Sequence, residues 1–148
     1  MARQQPYWED VQVGDEVPGY SLTIDPNRIV KQVSGSQDFY EVHYDVEFAK
    51  KGGHPDIFVN TGFMQGCFNH LICSWIGDRG MLRKFRMEMR RMNRTGDVMS
   101  LKGKVTNKYV EGEDYLVECE LWAENQTEGV TTPSYALMTL PSRSSNSI

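Results

Sequence analysis

Two residues with acid–base side chains, Asp38 and His43, stand five positions apart in the run 37–44. A carboxylate and an imidazole that hold one water between them can take a proton from it and return one to a neighbouring atom, which accelerates a reaction roughly 10²–10⁴-fold per transfer. Residues five apart differ by about 140° around a helix and point to opposite faces of a strand. The two side chains can therefore share a site only if the backbone between them is irregular. The run 37–44 has neither a helical nor a strand period, which meets this requirement.

Other interpretations of these polar residues have to be weighed. An aspartate and a histidine at this spacing, taken alone, are more often structural or exposed than catalytic. A metal site at His43 and Asp45 lacks a third ligand, and Asp45 is better explained as a helix N-cap, so we expect no metal ion. We expect His70 to be a hydrogen-bonded interior histidine of a helix, and His54 to be a loop residue.

The N-terminal half predicts one strand and three helices. Residues 20–24 are predicted as a short strand, and Asp25 followed by Pro26 indicates the start of a helix that ends at 34–36. Asp45 caps a second short helix, which a Gly-Gly pair at 52–53 ends. The longest helix is predicted from apolar residues at spacings of three and four, namely Met64, Phe68, Leu71, Ile72 and Trp75.

The C-terminal half alternates apolar and polar residues with a period of two. Four antiparallel strands in a meander are expected, separated by turns at 95–97, 111–114 and 128–129. Pro133 lies inside the last strand and should mark an edge or a bulge. We predict one α+β domain over 1–148, with its core at about 7–141, a loose tail at 142–148, and a curved sheet around one long central helix. Such a sheet leaves an edge strand, which favours a dimer or a larger assembly.

Composition narrows the functional classes. The 148 residues carry a formal charge of −4, so the overall field does not favour nucleic acid or an anionic membrane surface. The apolar stretch 57–76 is interrupted by polar residues and predicts a buried helix, not a membrane span. The three cysteines show neither paired spacing nor an even count, and no signal peptide is evident; both observations favour a cytoplasmic location.

The stretch 36–45 resembles the signature of the MaoC-like hydratases, in which Asp and His stand five apart before a short helix. Further matches are Gly14-Asp15, Asp56-Ile57 before the central helix, and Gly96-Asp97 before a strand that ends with GKVT. There are two departures. The usual Asn-Pro between the aspartate and the histidine reads Tyr40-Glu41 here, and the usual His-Gly after the isoleucine is replaced by Val59-Asn60. The run DIFVN is similar to the short subunits of bacterial steroid side-chain hydratases, which work with a second subunit.

This resemblance implies a hot-dog fold and the hydration of a trans-2-enoyl thioester, or the reverse dehydration. His43 is then expected to hold and activate water, and Asp38 to shuttle the proton. The thioester oxygen needs an N–H donor near the start of the central helix. An ungapped match assigns that role to the backbone of Asn60, and Gly62 is the alternative.

The resemblance also implies an acyl-CoA substrate, no separate cofactor, and a homodimer or a heteromer with another hot-dog subunit. A basic cluster consists of Arg83, Lys84, Arg86, Arg90, Arg91 and Arg94. Of these, Arg86, Arg90 and Arg91 are the expected contacts for the phosphates of coenzyme A, although a solvated strand face explains the cluster nearly as well. Two alternative functions are an acyl-CoA-binding partner subunit and a thioesterase. The thioesterase is disfavoured because residues 60–76 carry no acidic residue.

Overall fold

A computed structural model describes residues 5–144. It contains three α-helices, α1 (Pro26–Ser36), α2 (Val46–Lys51) and α3 (Thr61–Ile76), and five strands, β1 (Glu16–Thr23), β2 (Met81–Met87), β3 (Val98–Glu111), β4 (Asp114–Asn125) and β5 (Gly129–Thr139). The expected α+β fold is confirmed: one five-stranded antiparallel sheet packs against the long helix α3.

The strand order is β1-β3-β4-β5-β2, which differs from the predicted meander. β2 precedes β3 in sequence but pairs with β5, so β1 and β2 form the two edges of the sheet. β1 is also longer than predicted and begins at Glu16. An irregularity between Val17 and Tyr20 breaks the alternation of side chains there, which explains why the sequence pattern revealed only the second half of this strand.

Each helix begins at a side-chain cap that the sequence contains. Asp25 accepts the Arg28 N–H at 2.8 Å, and Asp45 accepts the Phe48 N–H at 3.0 Å. Both caps were predicted. α1 ends where Gln37 adopts the left-handed conformation (φ 57°), which turns the chain away from the helix.

The hydrophobic core lies between α3 and the sheet. The face of α3 toward the sheet buries five apolar side chains, namely Met64, Phe68, Leu71, Ile72 and Ile76. They pack with buried residues of the strands, among them Leu101, Leu121 and Met138. Burial of such side chains contributes roughly 1.5–3 kcal/mol each, so this layer fixes α3 and the loop before it.

Pro133 lies within an interior strand, because β5 is paired on both sides. The missing N–H is tolerated for a local reason. The β2 ladder ends at the pair Met87–Ser134, and beyond it the Pro133 carbonyl accepts the Glu88 N–H at 3.1 Å. The predicted edge is therefore wrong, whereas a bulge does lie nearby, where the β4 pairing skips Thr131.

Arg143 donates to both carboxylate oxygens of Asp10 at 2.7 and 2.6 Å, which anchors part of the segment that was expected to be a loose tail. The rest of that tail, 145–148, lies outside the described residues. Within residues 5–144, no helix has both the length and the apolar character needed to cross a membrane. Cys67, Cys73 and Cys119 are free thiols.

Candidate active site

Asp38 and His43 converge because the backbone between them is irregular. The left-handed Gln37 redirects the chain after α1, and a 3₁₀ turn, Glu41–His43, folds it back. His43 Nε2 lies 3.5 Å from Asp38 Oδ2. The geometric requirement derived from the spacing is therefore met, while the catalytic role of the pair stays a prediction.

The imidazole of His43 is fixed by one backbone carbonyl. The His43 side chain is 8% exposed, and its Nδ1 lies 2.7 Å from the Phe58 carbonyl oxygen. A carbonyl only accepts hydrogen bonds, so a neutral His43 carries its proton on Nδ1 and presents Nε2 as an acceptor. The 3.5 Å separation between Nε2 and Asp38 exceeds a direct hydrogen bond, and the Asp38 side chain is 41% exposed. A water that contacts both atoms fits this arrangement.

The Phe58 carbonyl is held by the loop 92–97. Asn93 accepts the Val59 N–H at 3.1 Å, and Thr95 donates to the Ile57 carbonyl at 3.2 Å. Asp97 stabilises the loop by a hydrogen bond within it, because its carboxylate accepts the Arg94 N–H at 2.8 Å. The position of His43 thus depends on a buried polar network about fifty residues further along the chain.

Asn60 contributes its side chain to the site, which the sequence analysis did not predict. Its Nδ2 donates to Asp38 Oδ2 at 2.8 Å and to Ser36 Oγ at 3.1 Å, while its Oδ1 accepts the Phe63 N–H at 2.9 Å. An asparagine directly before a helix is a recognisable N-cap, so the cap could have been predicted. The contact with Asp38 needs the three-dimensional structure.

The two backbone donors that the sequence suggested for the thioester oxygen differ in their present partners. The Asn60 N–H already donates to Gln32 Oε1 at 3.2 Å. Within residues 5–144, no protein acceptor takes the Gly62 N–H, which lies in the first turn of α3 and benefits from the positive end of the helix dipole. Gly62, the alternative from the sequence, is therefore the better candidate.

A cavity of about 650 Å³ lies between α1, α3 and β1. Its walls include Gly62, Ser36 and Tyr20, whereas Asp38 and His43 do not line it. The cavity approaches the pair through Asn60, which lies beside Gly62 and Ser36 and binds Asp38. Phe63 and His70 also line it. The predicted interior position of His70 is wrong: it is exposed, with its ring 5.3 Å from that of Tyr20 on β1. His54 is a loop residue, as predicted.

The wall of this cavity carries two neutral groups. Tyr20 donates from its hydroxyl to the Cys67 carbonyl at 2.9 Å. Burial raises the pKa of Tyr20 above its ordinary range, and burial also raises the pKa of the Cys67 thiol. Both groups thus stay protonated and uncharged at neutral pH, and Arg28 is the charged residue of the same wall.

The basic cluster is partly neutralised by the chain itself. Arg90 pairs with Glu88 at 2.9 Å, and Arg91 pairs with Glu128 at 3.4 Å. Arg86 is exposed and forms no ion pair with any residue that the structure describes. Of the three predicted phosphate contacts, Arg86 has the charge most available to a ligand. In the same part of the chain, no three His, Cys, Asp or Glu side chains gather as metal ligands.

Comparison with known proteins places this geometry in context. No model of a known protein family matches the chain. The 3-oxo-4,17-pregnadiene-20-carboxyl-CoA hydratase beta subunit of Mycobacterium tuberculosis is 29% identical over 94 residues, which are 64% of this chain and 73% of that protein.

Solved structures share the fold. The ChsH1-ChsH2 complex of Mycobacterium tuberculosis matches with a TM-score of 0.79 and 24% identity, over 87% of this chain and 98% of the matched one. A MaoC-like dehydratase from Rhodospirillum rubrum matches with a TM-score of 0.77 and 17% identity, over 92% of this chain and 97% of the matched one. The resemblance found in the sequence is confirmed: this chain has the hot-dog fold, and the proteins it is similar to are hydratases and dehydratases of the MaoC-like type.

Proposed function

We propose that this chain catalyses the hydration of a trans-2-enoyl-CoA thioester, or the reverse dehydration. One observation carries the proposal: His43, with its Nδ1 bound to the Phe58 carbonyl, presents Nε2 as an acceptor 3.5 Å from the Asp38 carboxylate. A carboxylate and an acceptor imidazole at this distance suit a shared water. The M. tuberculosis relative is itself named as a hydratase subunit, which supports the same reaction class.

In the proposed reaction His43 Nε2 accepts a proton from the water as its oxygen bonds to the β-carbon. Asp38, a carboxylate at the start, takes this proton from His43 and passes it to the α-carbon, so the product carries a hydroxyl on the β-carbon and a hydrogen on the α-carbon. The Asp38–His43 pair loses one proton and gains one, and it returns to its starting state. No separate cofactor is needed, since water is the other reactant.

The Gly62 N–H is the proposed donor to the thioester oxygen. Negative charge develops on that oxygen as the β-carbon is attacked, and a preorganised donor stabilises it by about 2.7–4 kcal/mol. Gly62 suits this role because it lines the cavity next to Asn60, the partner of Asp38, and its N–H is unoccupied within the described chain.

The acyl group is proposed to occupy the cavity of about 650 Å³, which continues from Gly62 along α3. Its walls are mostly apolar or uncharged apart from Arg28, which suits a fatty acyl or a bulky steroid acyl group, and the relative's name motivates the second of these. We assign the coenzyme A phosphates to the basic cluster, with Arg86 as the leading contact. An Arg86→Ala variant is expected to raise KM for CoA thioesters several-fold with little change in kcat.

We further propose that the chain works as a homodimer or as one subunit of a heteromeric hydratase in the cytoplasm. Both sheet edges, β1 and β2, have unpaired backbone groups on their outer sides, and pairing with another strand would satisfy them. The matched relative is a beta subunit, which favours the heteromer. An acyl-CoA-binding subunit without catalytic activity remains the second candidate function.

The test follows the loss of the enoyl thioester chromophore in the ultraviolet, with crotonyl-CoA, a long-chain enoyl-CoA and a steroid enoyl-CoA as substrates. Asp38→Asn and His43→Ala are each expected to lower kcat at least 100-fold. Asp45→Asn is the matched control: it makes the same chemical change seven residues away, and asparagine caps a helix as well as aspartate.

The outcomes separate the candidates. Activity that survives both substitutions contradicts the proposed chemistry. A wild-type protein that binds these thioesters without converting any of them supports the partner-subunit function.

A further inference from the structure

The Asn60 side chain connects two parts of the molecule through opposite ends of one amide. Oδ1 accepts the Phe63 N–H at 2.9 Å and caps α3, while Nδ2 donates to Asp38 Oδ2 at 2.8 Å. Asn60 is 6% exposed, so water does not compete for these bonds. The connection therefore joins Asp38 rigidly to the first turn of the central helix.

The orientation of this amide follows from its partners. The Phe63 N–H is a donor and must meet an oxygen, so the NH₂ group necessarily faces Asp38 and Ser36. The Asn60 backbone is fixed as well, because its N–H donates to Gln32 Oε1 at 3.2 Å. Ser36 completes the arrangement: its hydroxyl donates to the Gln32 carbonyl at 2.8 Å and accepts from Asn60 Nδ2 at 3.1 Å.

The oxygen that Asn60 holds is the one that faces His43. Asp38 Oδ2 accepts from Asn60 at 2.8 Å and lies 3.5 Å from His43 Nε2. A hydrogen bond donated to a carboxylate favours its charged form and fixes its rotation about the last side-chain torsion. Oδ1 is then left for water or substrate.

We propose that Asn60 is a positioning residue that acts through its side chain: it sets the orientation of the Asp38 carboxylate relative to His43. This inference rests on the proposed function, because it assigns Asn60 a part in the same reaction. It differs from the backbone role that the sequence suggested, and it explains why the chain carries Asn60 where a glycine is usual.

A simple helix cap is the competing explanation, and one variant separates the two. Asn60→Asp keeps an acceptor for the Phe63 N–H but loses the donor to Asp38 and brings a second carboxylate against it. Asn60→Ala loses both functions. Asn69→Asp is the matched control, because it adds the same charge to an exposed position of the same helix.

For Asn60→Asp we expect a melting temperature within about 3 °C of that of Asn69→Asp, a kcat lowered about 10–100-fold, and KM within about threefold. The acid limb of the pH–rate profile should move to higher pH by about one unit, because two adjacent carboxylates hold a shared proton more tightly. His43 is the titratable group that faces Asp38, while Ser36 and Asn60 are its neutral neighbours. Asn60→Ala should lose both kcat and several degrees of thermal stability.

Carbon-13 NMR titration of the Asp38 carboxyl, assigned with Asp38→Asn, gives a readout that does not depend on turnover. Its protonation midpoint should move to higher pH in Asn60→Asp, because the added carboxylate lies against Asp38, and stay unchanged in Asn69→Asp. An unchanged midpoint, or an Asn60→Asp enzyme with the kcat and pH profile of Asn69→Asp, overturns the positioning role. A wild-type protein inactive on every thioester refutes the proposed function, and the titration then decides the Asn60 contact by itself.

Discussion

Replacing Asp97 with alanine removes the acceptor at the centre of the network behind His43. Asp97 is 6% exposed and accepts four hydrogen bonds. Oδ2 takes the Arg94 N–H at 2.8 Å and Asn125 Nδ2 at 3.2 Å. Oδ1 takes the Thr127 hydroxyl at 3.1 Å and Gln126 Nε2 at 3.3 Å.

The expected loss of stability follows from which donors can find another partner. Gln126 and Thr127 are exposed, so their side chains can turn to water and each bond contributes little. The Arg94 N–H is left without an acceptor, and Asn125 keeps its bond to Asn93 at 3.0 Å. A buried donor without a partner costs about 1–3 kcal/mol, and a bond to a charged group contributes about 1.5–3 kcal/mol. We therefore expect Asp97→Ala to lower the free energy of unfolding by about 3–4 kcal/mol.

Urea denaturation followed by circular dichroism measures this loss. Asp97→Asn is the matched control, since it keeps the shape and one accepting oxygen; it should lose about half as much. A loss below 1 kcal/mol in Asp97→Ala, or an equal loss in both variants, would refute the reasoning. The alanine variant should also lose kcat, because the loop 92–97 holds the carbonyl to which His43 donates.

Three further outcomes follow from the structure. Gly66→Phe places a ring in the cavity, since a Cβ there meets no atom within 4 Å; kcat/KM for a long-chain enoyl-CoA should fall at least tenfold while that for crotonyl-CoA changes little. Gly19→Ala directs its Cβ against the Leu101 carbonyl oxygen, and backbone cannot yield as a side chain can, so thermal unfolding should show a loss of about 1–3 kcal/mol. Burial raises the pKa of Cys119 to about 12 and also raises that of Cys67. The folded chain then binds more protons than the unfolded chain above about pH 9, so urea titrations should show the free energy of unfolding falling as pH rises from 9 toward 12.

Local signals in the sequence were sufficient for the helices. Asp25 and Asp45 were identified as caps because each aspartate stands directly before residues with the apolar spacing of a helix, where its side chain can accept a free backbone N–H. The irregular run 37–44 was also predicted, since its residues fit neither repeat. These features depend on neighbours within a few positions, and the structure agrees with them.

The parts that the sequence did not reveal depend on distant segments. β2 pairs with β5 and not with β3. The alternation of apolar and polar residues along β2 cannot reveal this, because it would be the same with either partner. His70 was predicted as buried from its apolar neighbours, but it is exposed where α3 meets the edge strand β1, beside Tyr20. The contact of Asn60 with Asp38 joins residues 22 positions apart through a turn whose shape only the folded chain defines.

The position of β2 at the far edge has a consequence for synthesis on the ribosome. Met81 pairs with Thr139, so β2 gains its only strand partner within the described chain after the last strand has been translated. At a synthesis rate of about 5–20 residues per second, the time between the synthesis of Met81 and that of Thr139 is roughly 3–12 seconds. During this time α3 lacks part of the sheet that covers its apolar face. We expect the nascent chain to need shielding by a chaperone until β5 emerges.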